Sequence, residues 1–352
     1  MKLFFVHQRV SAALLIALPV LVSSVTASAE TTWSEPADDM VVAQWSPEEL
    51  KPLPQTDEQR MNEIKKHFQR ADLPGESWRY DRIFVLAEGL DDQDSDLILY
   101  YQARLLQHQH KFNEAAQLLS TISSASPVFV SARLMMAQVY TELGHFKSAR
   151  EACTSIILQQ ADLAAVCGVA SKSSIGESEQ ALLSALLDRY ARSDDEVNQS
   201  MAAWTLYQKG LGYLNAADYD SVEQAYSRWG DAASLRVADL VLLSEAQLRN
   251  QQPQKAMTLL ESYGHQHYPD DAIIVQLARA EKQLNRSDRV WRDFAKERIS
   301  QRVQRQDESY AELIALYFST VGDNAEPRNL SWLSQVHNAQ NSPMVVAPGG
   351  ML

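Results

Sequence analysis

The chain has 352 residues, with 45 acidic against 32 basic side chains, and a net charge of −13. Such an acidic chain is a poor candidate for binding nucleic acid or anionic lipid surfaces, because both carry negative charge themselves. The sequence also lacks the phosphate-binding loops, the serine-hydrolase elbow and the zinc-protease helix that mark common enzyme classes. We therefore expect no catalytic activity and no cofactor.

The N-terminus has the pattern of an export signal. Lys2 and Arg9 precede an apolar run from Val10 to Val22, and residues 27–29 are Ala-Ser-Ala. We expect residues 1–29 to be a signal peptide that is cleaved after Ala29. The alternative is a membrane anchor, but the run is shorter than the ~20 apolar residues that span a bilayer. No later stretch approaches ~18 such residues, so we expect no stable membrane insertion after cleavage.

Two further segments look unstructured. Residues 30–56 are acidic and rich in proline, which predicts a disordered linker, although Trp33 and Trp45 are unusual in a simple spacer. Residues 341–352 end in Pro-Gly-Gly-Met-Leu and are predicted to be a disordered tail.

The sequence between these segments repeats with a period of 34 residues. Four pairs of matching positions have this spacing: Ala103 and Ala137, Phe112 and Phe146, Ala115 and Ala149, and Leu119 and Cys153. A period of this length is typical of one helix–turn–helix unit in an α-solenoid. Four pairs in the same register indicate repetition rather than two unrelated amphipathic helices.

The first clear unit extends from Asp96 to Phe129. Its first helix carries Ala103 on an apolar face, a polar stretch at 108–110 interrupts the helical pattern, and Phe112 begins a second helix. Pro127 ends the unit because proline cannot continue a helix. The second unit begins near Val130.

These two units resemble the tetratricopeptide repeat. The residues that carry the resemblance are the small Ala103 and Ala137, Tyr140, the turn residue Gly144, Ala115 and Ala149 in the second helices, and Pro127. The resemblance implies an all-α fold, an α-solenoid of about six helix–turn–helix units wound as a right-handed superhelix. It also implies binding of another protein rather than catalysis.

The same register returns later in the chain. Gly210, Ser244 and Ala278 are 34 residues apart and each fits the small position of a first helix. Upstream, residues 79–89 are predicted to be the second helix of a partial unit, and residues 163–192 an irregular unit. We therefore predict an N-terminal block over residues 57–195 and a C-terminal block over residues 196–340. In the second block, helices around 303–321 and 330–337 would cap the solenoid.

Cys153 and Cys167 are the only cysteines. In an exported protein an even number favours a disulfide, and two antiparallel helices could bring residues 14 apart into contact. The alternative is a pair of buried free thiols, since cysteine is a good small core residue.

Two further patterns contain residue types that can bind metal ions, but each has a simpler interpretation. His108 with His110, and His265 with His267, are His-x-His pairs at predicted helix ends, where solvated turn histidines are the simpler interpretation. Asp92, Asp94 and Asp96 alternate like a calcium loop, but the glycine and the terminal glutamate of that loop are missing. We expect them, like residues 193–196, to begin a helix.

The inner face of the solenoid is the predicted binding surface. Carried over from the repeat family, its lining residues are Tyr100, Arg104, Gln107, Gln138, Thr141, Trp204, Tyr207, Glu245, Arg279 and Lys282. Aromatic, arginine and glutamine side chains suit recognition of an extended peptide. The alternative for Trp204 and Tyr207 is packing against the neighbouring unit.

Together these observations predict a periplasmic or secreted adaptor that binds another protein or peptide of the cell envelope through its concave face. The alternative is an accessory subunit of an envelope polysaccharide or secretion complex, which would bind glycan through an aromatic groove. An enzyme would require a deep polar pocket that the sequence does not indicate.

Overall fold

A computed structural model describes residues 52–90, 95–172, 175–191, 196–229, 235–266 and 269–322, with only the backbone at 196–198. The predicted signal peptide, most of the linker, the helix at 330–337 and the tail lie outside the described residues. Within those ranges the structure is all-α and contains no strand. The prediction of an all-α, tetratricopeptide-like solenoid is confirmed.

Each helix packs against the helix that precedes it and the helix that follows it in the chain. Their bounds are α1 Asp57–Phe68, α2 Arg79–Glu88, α3 Asp96–His108, α4 Phe112–Thr121, α5 Phe129–Glu142, α6 Phe146–Thr154, α7 Ala161–Ala170, α8 Glu177–Tyr190, α9 Glu196–Asn215, α10 Tyr219–Ser227, α11 Val237–Arg249, α12 Pro253–Gly264, α13 Asp271–Gln283, α14 Val290–Gln304 and α15 Ala311–Thr320. None of the described helices combines the length and apolar character that a membrane span needs.

Small residues stand where first helices approach their neighbours. Ala103, Ser244 and Ala278 are completely buried. At Gly210 a Cβ atom would lie 3.0 Å from the ring of Tyr226 and 3.1 Å from Leu242, so even a methyl group would fit tightly there. The 34-residue pattern of small residues therefore marks close helix–helix contacts, as the repeat requires.

A left-handed residue ends the first helix of five units at the same repeat position. These residues are His110, Gly144, Ala217, Gln251 and Asn285, with φ between 53° and 72°. The next residue in each case donates its N–H to a carbonyl five residues earlier, as in Lys111 to Leu106 at 2.8 Å. This is the Schellman type of helix end, which turns the chain into the second helix of the unit.

The predicted helix over 303–321 is wrong in its extent. The structure ends α14 at Gln304, passes through a left-handed Gln306 and a 3₁₀ turn at Glu308–Tyr310, and begins α15 at Ala311. Arg302 holds this turn, because its guanidinium contacts Asp271 at 2.8 Å and Asp307 at 3.0 Å.

The core is continuous from α3 to α15, and a smaller cluster joins α1, α2 and α3. Helices α11 and α13 are buried on all sides, over Val237–Leu248 and Asp271–Glu281. A helix with no exposed face must be covered on its inner as well as its outer side. The inner face of the C-terminal units is therefore occupied.

Candidate protein-binding face

The ten residues predicted to line the inner face all lie on first helices, namely α3, α5, α9, α11 and α13. Six of them are buried: Tyr100, Gln107, Trp204, Tyr207, Glu245 and Arg279. Arg104, Gln138 and Thr141 are half-buried, and Lys282 is exposed. Their role in binding stays a prediction, but most of these side chains already have neighbours within the chain.

Glu245 and Arg279 form one buried ion pair between adjacent first helices, at equivalent positions 34 residues apart. Glu245 also accepts from Gln276 Nε2 at 3.0 Å and from Arg249 Nε at 2.6 Å. Burial opposes ionisation of Glu245, but the bonds from Arg279 and Gln276 outweigh it and hold its pKa at about 2. This pair joins two units rather than offering free charges to a ligand.

Lys282 and Thr141 are also bonded within the protein. Lys282 Nζ donates to the carbonyl oxygens of Thr320 at 2.8 Å and Val321 at 3.2 Å, and so caps the C-terminal end of α15. Thr141 donates to the carbonyl of Ala137 in its own helix. Helix α15 is thus anchored to α13 by a predicted binding residue.

The segment between α1 and α2, residues 69–78, is the element that reaches the C-terminal units; we call it the 69–78 connector. The carbonyl oxygen of Asp72 accepts from the N–H of Val237, the first residue of α11, at 3.0 Å. The N–H of Gly75 donates to Asp270 Oδ2, beside the start of α13, at 3.1 Å. The connector therefore lies across the N-terminal ends of α11 and α13.

Side chains beneath the connector form a polar cluster. The hydroxyl of Tyr80 donates to Asp72 Oδ1. Arg104 stacks on the ring of Phe68, with its guanidinium carbon 4.0 Å from the ring centre, and its charge also acts on Asp72. Arg104 thus links the predicted binding face to the connector.

The carboxyl groups at this contact are unusually weak acids. Burial raises the pKa of Asp72 to about 6, although Tyr80, Arg104 and Arg236 favour its ionised form. Burial also raises the pKa of Asp270 to about 6, against the stabilising bond from Gly75. Both side chains are half-buried, and the raised pKa of each shows that this contact disfavours a charged carboxylate.

A second group of ionisable side chains, Glu142 on α5 and Glu312 on α15, is half-buried. Burial, and after it the nearby charge of Glu312 on α15, together raise the pKa of Glu142 to about 7. Glu312 itself has a pKa of about 7 because of burial. Glu142 also contributes, after burial, to the raised pKa of Tyr207. Glu312 on α15 therefore lies near enough to α5 for its charge to act on Glu142.

The described histidines of the two His-x-His pairs lie against aromatic rings of the chain. The ring of His108 stacks on Tyr80 at 3.5 Å, and burial lowers the pKa of His108 to about 4. His265 lies beside Trp291, and His267 is outside the described residues. Over the described part of the chain, no group of three potential ligands is placed to hold a metal ion.

The acidic start of α3 acts as predicted for a helix start. Ser95 Oγ accepts from the N–H of Ile98 at 3.4 Å, and Asp96 lies in the first turn. Asp92 and Asp94 are outside the described residues, as are residues 193–195, which precede α9 at Glu196.

The predicted disulfide is present. Cys153 on α6 and Cys167 on α7 are bonded, with their Cα atoms 5.5 Å apart. This separation is usual for a disulfide. The bond closes the turn that joins the second unit to the irregular third unit.

The 34-residue pattern does not reveal the 69–78 connector. Among its residues the pattern includes Trp78, which lies 34 residues before Phe112, and it predicts no contact of this segment with the C-terminal units. The only local signal is Pro74-Gly75, which indicates a turn but not its distant contacts. Asp72, Tyr80 and Asp270 gain their significance only from contacts between units far apart in the chain.

Residues 87–167 match the family model described as tetratricopeptide repeat. The matched segment extends from the end of α2 into α7 and contains both of the first two complete units. This match confirms the resemblance to tetratricopeptide repeats. Repeats of this family suggest a scaffold for protein–protein interaction, and the family is typically not catalytic. No curated protein matches the chain at a significant level.

Proposed function

Because residues 87–167 carry tetratricopeptide repeats within a longer stack of helix pairs, we propose that this protein is an exported adaptor that holds a protein partner in the cell envelope. The observation that carries the proposal is the repeat match itself. Stacked helix pairs present an extended surface to a partner and seldom assemble catalytic groups.

Two features support the location. The basic, apolar and Ala-Ser-Ala pattern of residues 1–29 suits an export signal. Independently, the Cys153–Cys167 bond suits an oxidising compartment, because disulfides are rare in the reducing cytosol. Both features fit a periplasmic or secreted protein.

The glycan-binding alternative depends on aromatic rings that a sugar can reach. Trp204 and Tyr207 are 5% and 8% exposed, so they offer little surface for stacking. A protein partner needs no such platform, and we therefore place the adaptor function first.

The proposal is tested by mild crosslinking of the full chain in cells, followed by affinity capture from the envelope fraction. The inner-face variant is Gln138→Lys with Thr141→Lys, two half-buried positions on α5. The matched control is Lys147→Ala on α6, whose side chain is 86% exposed on a second helix. We expect a reproducible partner with the wild type and the control, and its loss by about tenfold with the inner-face variant.

Failure to capture any protein repeatedly, or equal capture by both variants, would contradict the adaptor proposal. The intact mass of the captured chain tests export separately. We expect a mature N-terminus at Glu30, whereas a chain that retains residues 1–29 and stays out of the envelope fraction contradicts export.

A further inference from the structure

Four carboxyl groups lie where the 69–78 connector contacts the starts of α11 and α13. They belong to Asp72 on the connector, Asp239 on α11, Asp270 just before α13 and Asp271 at its first residue. The charge of Asp239 acts on Asp72, and that of Asp271 acts on Asp270. Because like charges repel one another in a half-buried contact, the protonation of these groups affects its strength.

Two of the four carboxylates have arginines in direct contact. Asp239 accepts from Arg236 Nε at 2.8 Å. Asp271 Oδ1 accepts from Arg298 Nε at 2.6 Å, and its Oδ2 accepts from Arg302 Nε at 2.8 Å. These ion pairs compensate the charges of Asp239 and Asp271 within the protein.

The other two carboxyl groups accept hydrogen bonds from neutral donors. The hydroxyl of Tyr80 donates to Asp72 Oδ1, and the N–H of Gly75 donates to Asp270 Oδ2 at 3.1 Å. Over the ranges that the structure describes, neither of these carboxyl groups forms an ion pair. A protonated carboxyl group keeps an acceptor oxygen for each bond and carries no charge, so protonation removes the repulsion and preserves both bonds.

We infer that the contact between the 69–78 connector and the starts of α11 and α13 is proton-sensitive: it tightens when Asp72 and Asp270 bind protons and weakens when they ionise. The two side chains act as one device because they lie on opposite sides of the same contact, one on the connector and one beside α13. The inference concerns the protein alone and does not rest on the proposed adaptor function.

Charged and titratable groups surround the two carboxyls from several elements. They are Tyr80 on α2, Arg104 and His108 on α3, Arg236 and Asp239 at the start of α11, Asp271 on α13, Arg298 on α14 and Tyr310 before α15. The arginines favour the ionised carboxylates, but burial outweighs them and raises the pKa of Asp72 and of Asp270 to about 6. Burial lowers the pKa of His108 to about 4, so this ring stays neutral while the two aspartates titrate.

The direction of the pH effect follows from these values. Both folded pKa values exceed the ordinary 3.8, so the folded state holds protons that the unfolded chain has already released. The stability that Asp72 and Asp270 contribute is therefore fully present below pH 3.8 and is lost as the pH rises to about 6. Both side chains keep some exposure to water, which reduces the size of the effect.

The test variant replaces both groups by neutral amides, as Asp72→Asn with Asp270→Asn. Each amide keeps an oxygen that can accept from Tyr80 or Gly75 and carries no charge at any pH. The matched control is Asp188→Asn with Glu151→Gln, which removes the same number of charges from exposed positions on α8 and α6.

Hydrogen exchange of two amides in the full mature chain measures the contact. The N–H of Val237 donates to the carbonyl of Asp72, whereas that of Gln252 donates to Gln247 at 2.8 Å within its own unit and so reports global opening. After correction for the intrinsic rate, we expect protection of Val237 relative to Gln252 to be at least about tenfold greater at about pH 5 than at about pH 7.5 in the wild type and the control. In the Asn pair this ratio should be the same at both pH values.

Two results would overturn the inference. One is a wild-type ratio that is unchanged or smaller at the lower pH, and the other is an equal pH dependence in the wild type and the Asn pair. If the Asn pair loses its helical circular dichroism, Asp270→Asn alone replaces it and should reduce the pH effect on the ratio at least about threefold. A full wild-type pH effect in that folded single variant would also contradict the proposed role of Asp270.

Discussion

At the residue scale, the left-handed helix ends are the clearest mark of repetition. Four of these five helix ends carry a residue other than glycine, and Ala217 with φ 58° is the least suited of them. An alanine in this region loses roughly 1–2 kcal/mol relative to its preferred conformations, and it cannot form the local bonds that favour asparagine there. The turn at Ala217 is therefore formed in spite of local preference.

Ala217→Gly should therefore stabilise the protein. We expect the free energy of unfolding to rise by about 0.5–1 kcal/mol, because relief of strain exceeds the added flexibility of the unfolded chain. Urea unfolding followed by circular dichroism measures the change. Gly144→Ala should shift the midpoint in the opposite direction, and a loss of stability in Ala217→Gly would contradict the argument.

The residue type at each left-handed helix end decides whether the turn can be predicted from the sequence. Gly144 is recognisable because glycine favours the left-handed conformation. His110, Ala217, Gln251 and Asn285 share that conformation only because the helix end and the next helix impose it. Small residues such as Ala103 were more informative, since close packing restricts size at every unit.

At the element scale, the disulfide joins the regular second unit to the shorter α7–α8 unit. Replacing both Cys153 and Cys167 by alanine should lower the free energy of unfolding by about 3 kcal/mol, the value expected for a loop of ~15 residues. Guanidinium unfolding of the oxidised wild type and the variant measures this. A reductant should lower the stability of the wild type alone, and an unchanged midpoint in the variant would refute the prediction.

The irregular unit itself was predictable in position but not in detail. In the structure α8 begins after Gly176, whose N–H donates to Glu179 Oε2 at 3.1 Å. The end of α14 was not predictable, because Arg302 stops the helix through contacts with Asp271 and Asp307, which lie on other segments.

At the scale of the whole molecule, Glu142 and Glu312 link stability to pH. Their folded pKa values of about 7 exceed the ordinary 4.5, so the folded state binds more protons than the unfolded state. The stability that these two carboxyl groups contribute to the folded state is therefore fully present below pH 4.5 and is lost as the pH rises to 7.

Glu142→Gln should remove much of this dependence. At about pH 8 we expect the variant to be more stable than the wild type by about 1 kcal/mol, less than the full shift implies because both side chains keep some contact with water. Thermal melts at about pH 5 and about pH 8 measure the difference. The control is Glu151→Gln, an exposed position on α6, which should leave the pH dependence of stability unchanged. If Glu142→Gln and the wild type show the same pH dependence, Glu142 does not link stability to pH.

Contacts between distant units could not be predicted from the repeat. A period of 34 specifies which residues meet in adjacent units, and Glu245 with Arg279 is such a pair. It contains no information about Asp72 and Val237, or about Glu142 and Glu312, because those contacts depend on how the whole stack curves. The residues predicted to line the inner face lie on first helices, and the sequence indicated packing as an alternative for only two of them, Trp204 and Tyr207.

The bond between Gly75 and Asp270 spans 195 residues of sequence. In an ordinary repeat array each unit contacts only its neighbours, so terminal units can melt one at a time and folding can begin anywhere. Here the first unit and a late unit support each other. Forming this contact requires the closure of a long loop, so we expect the last step of folding to be slow. Loss of either unit should also destabilise the other. The array should thus unfold with the cooperativity of a globular domain.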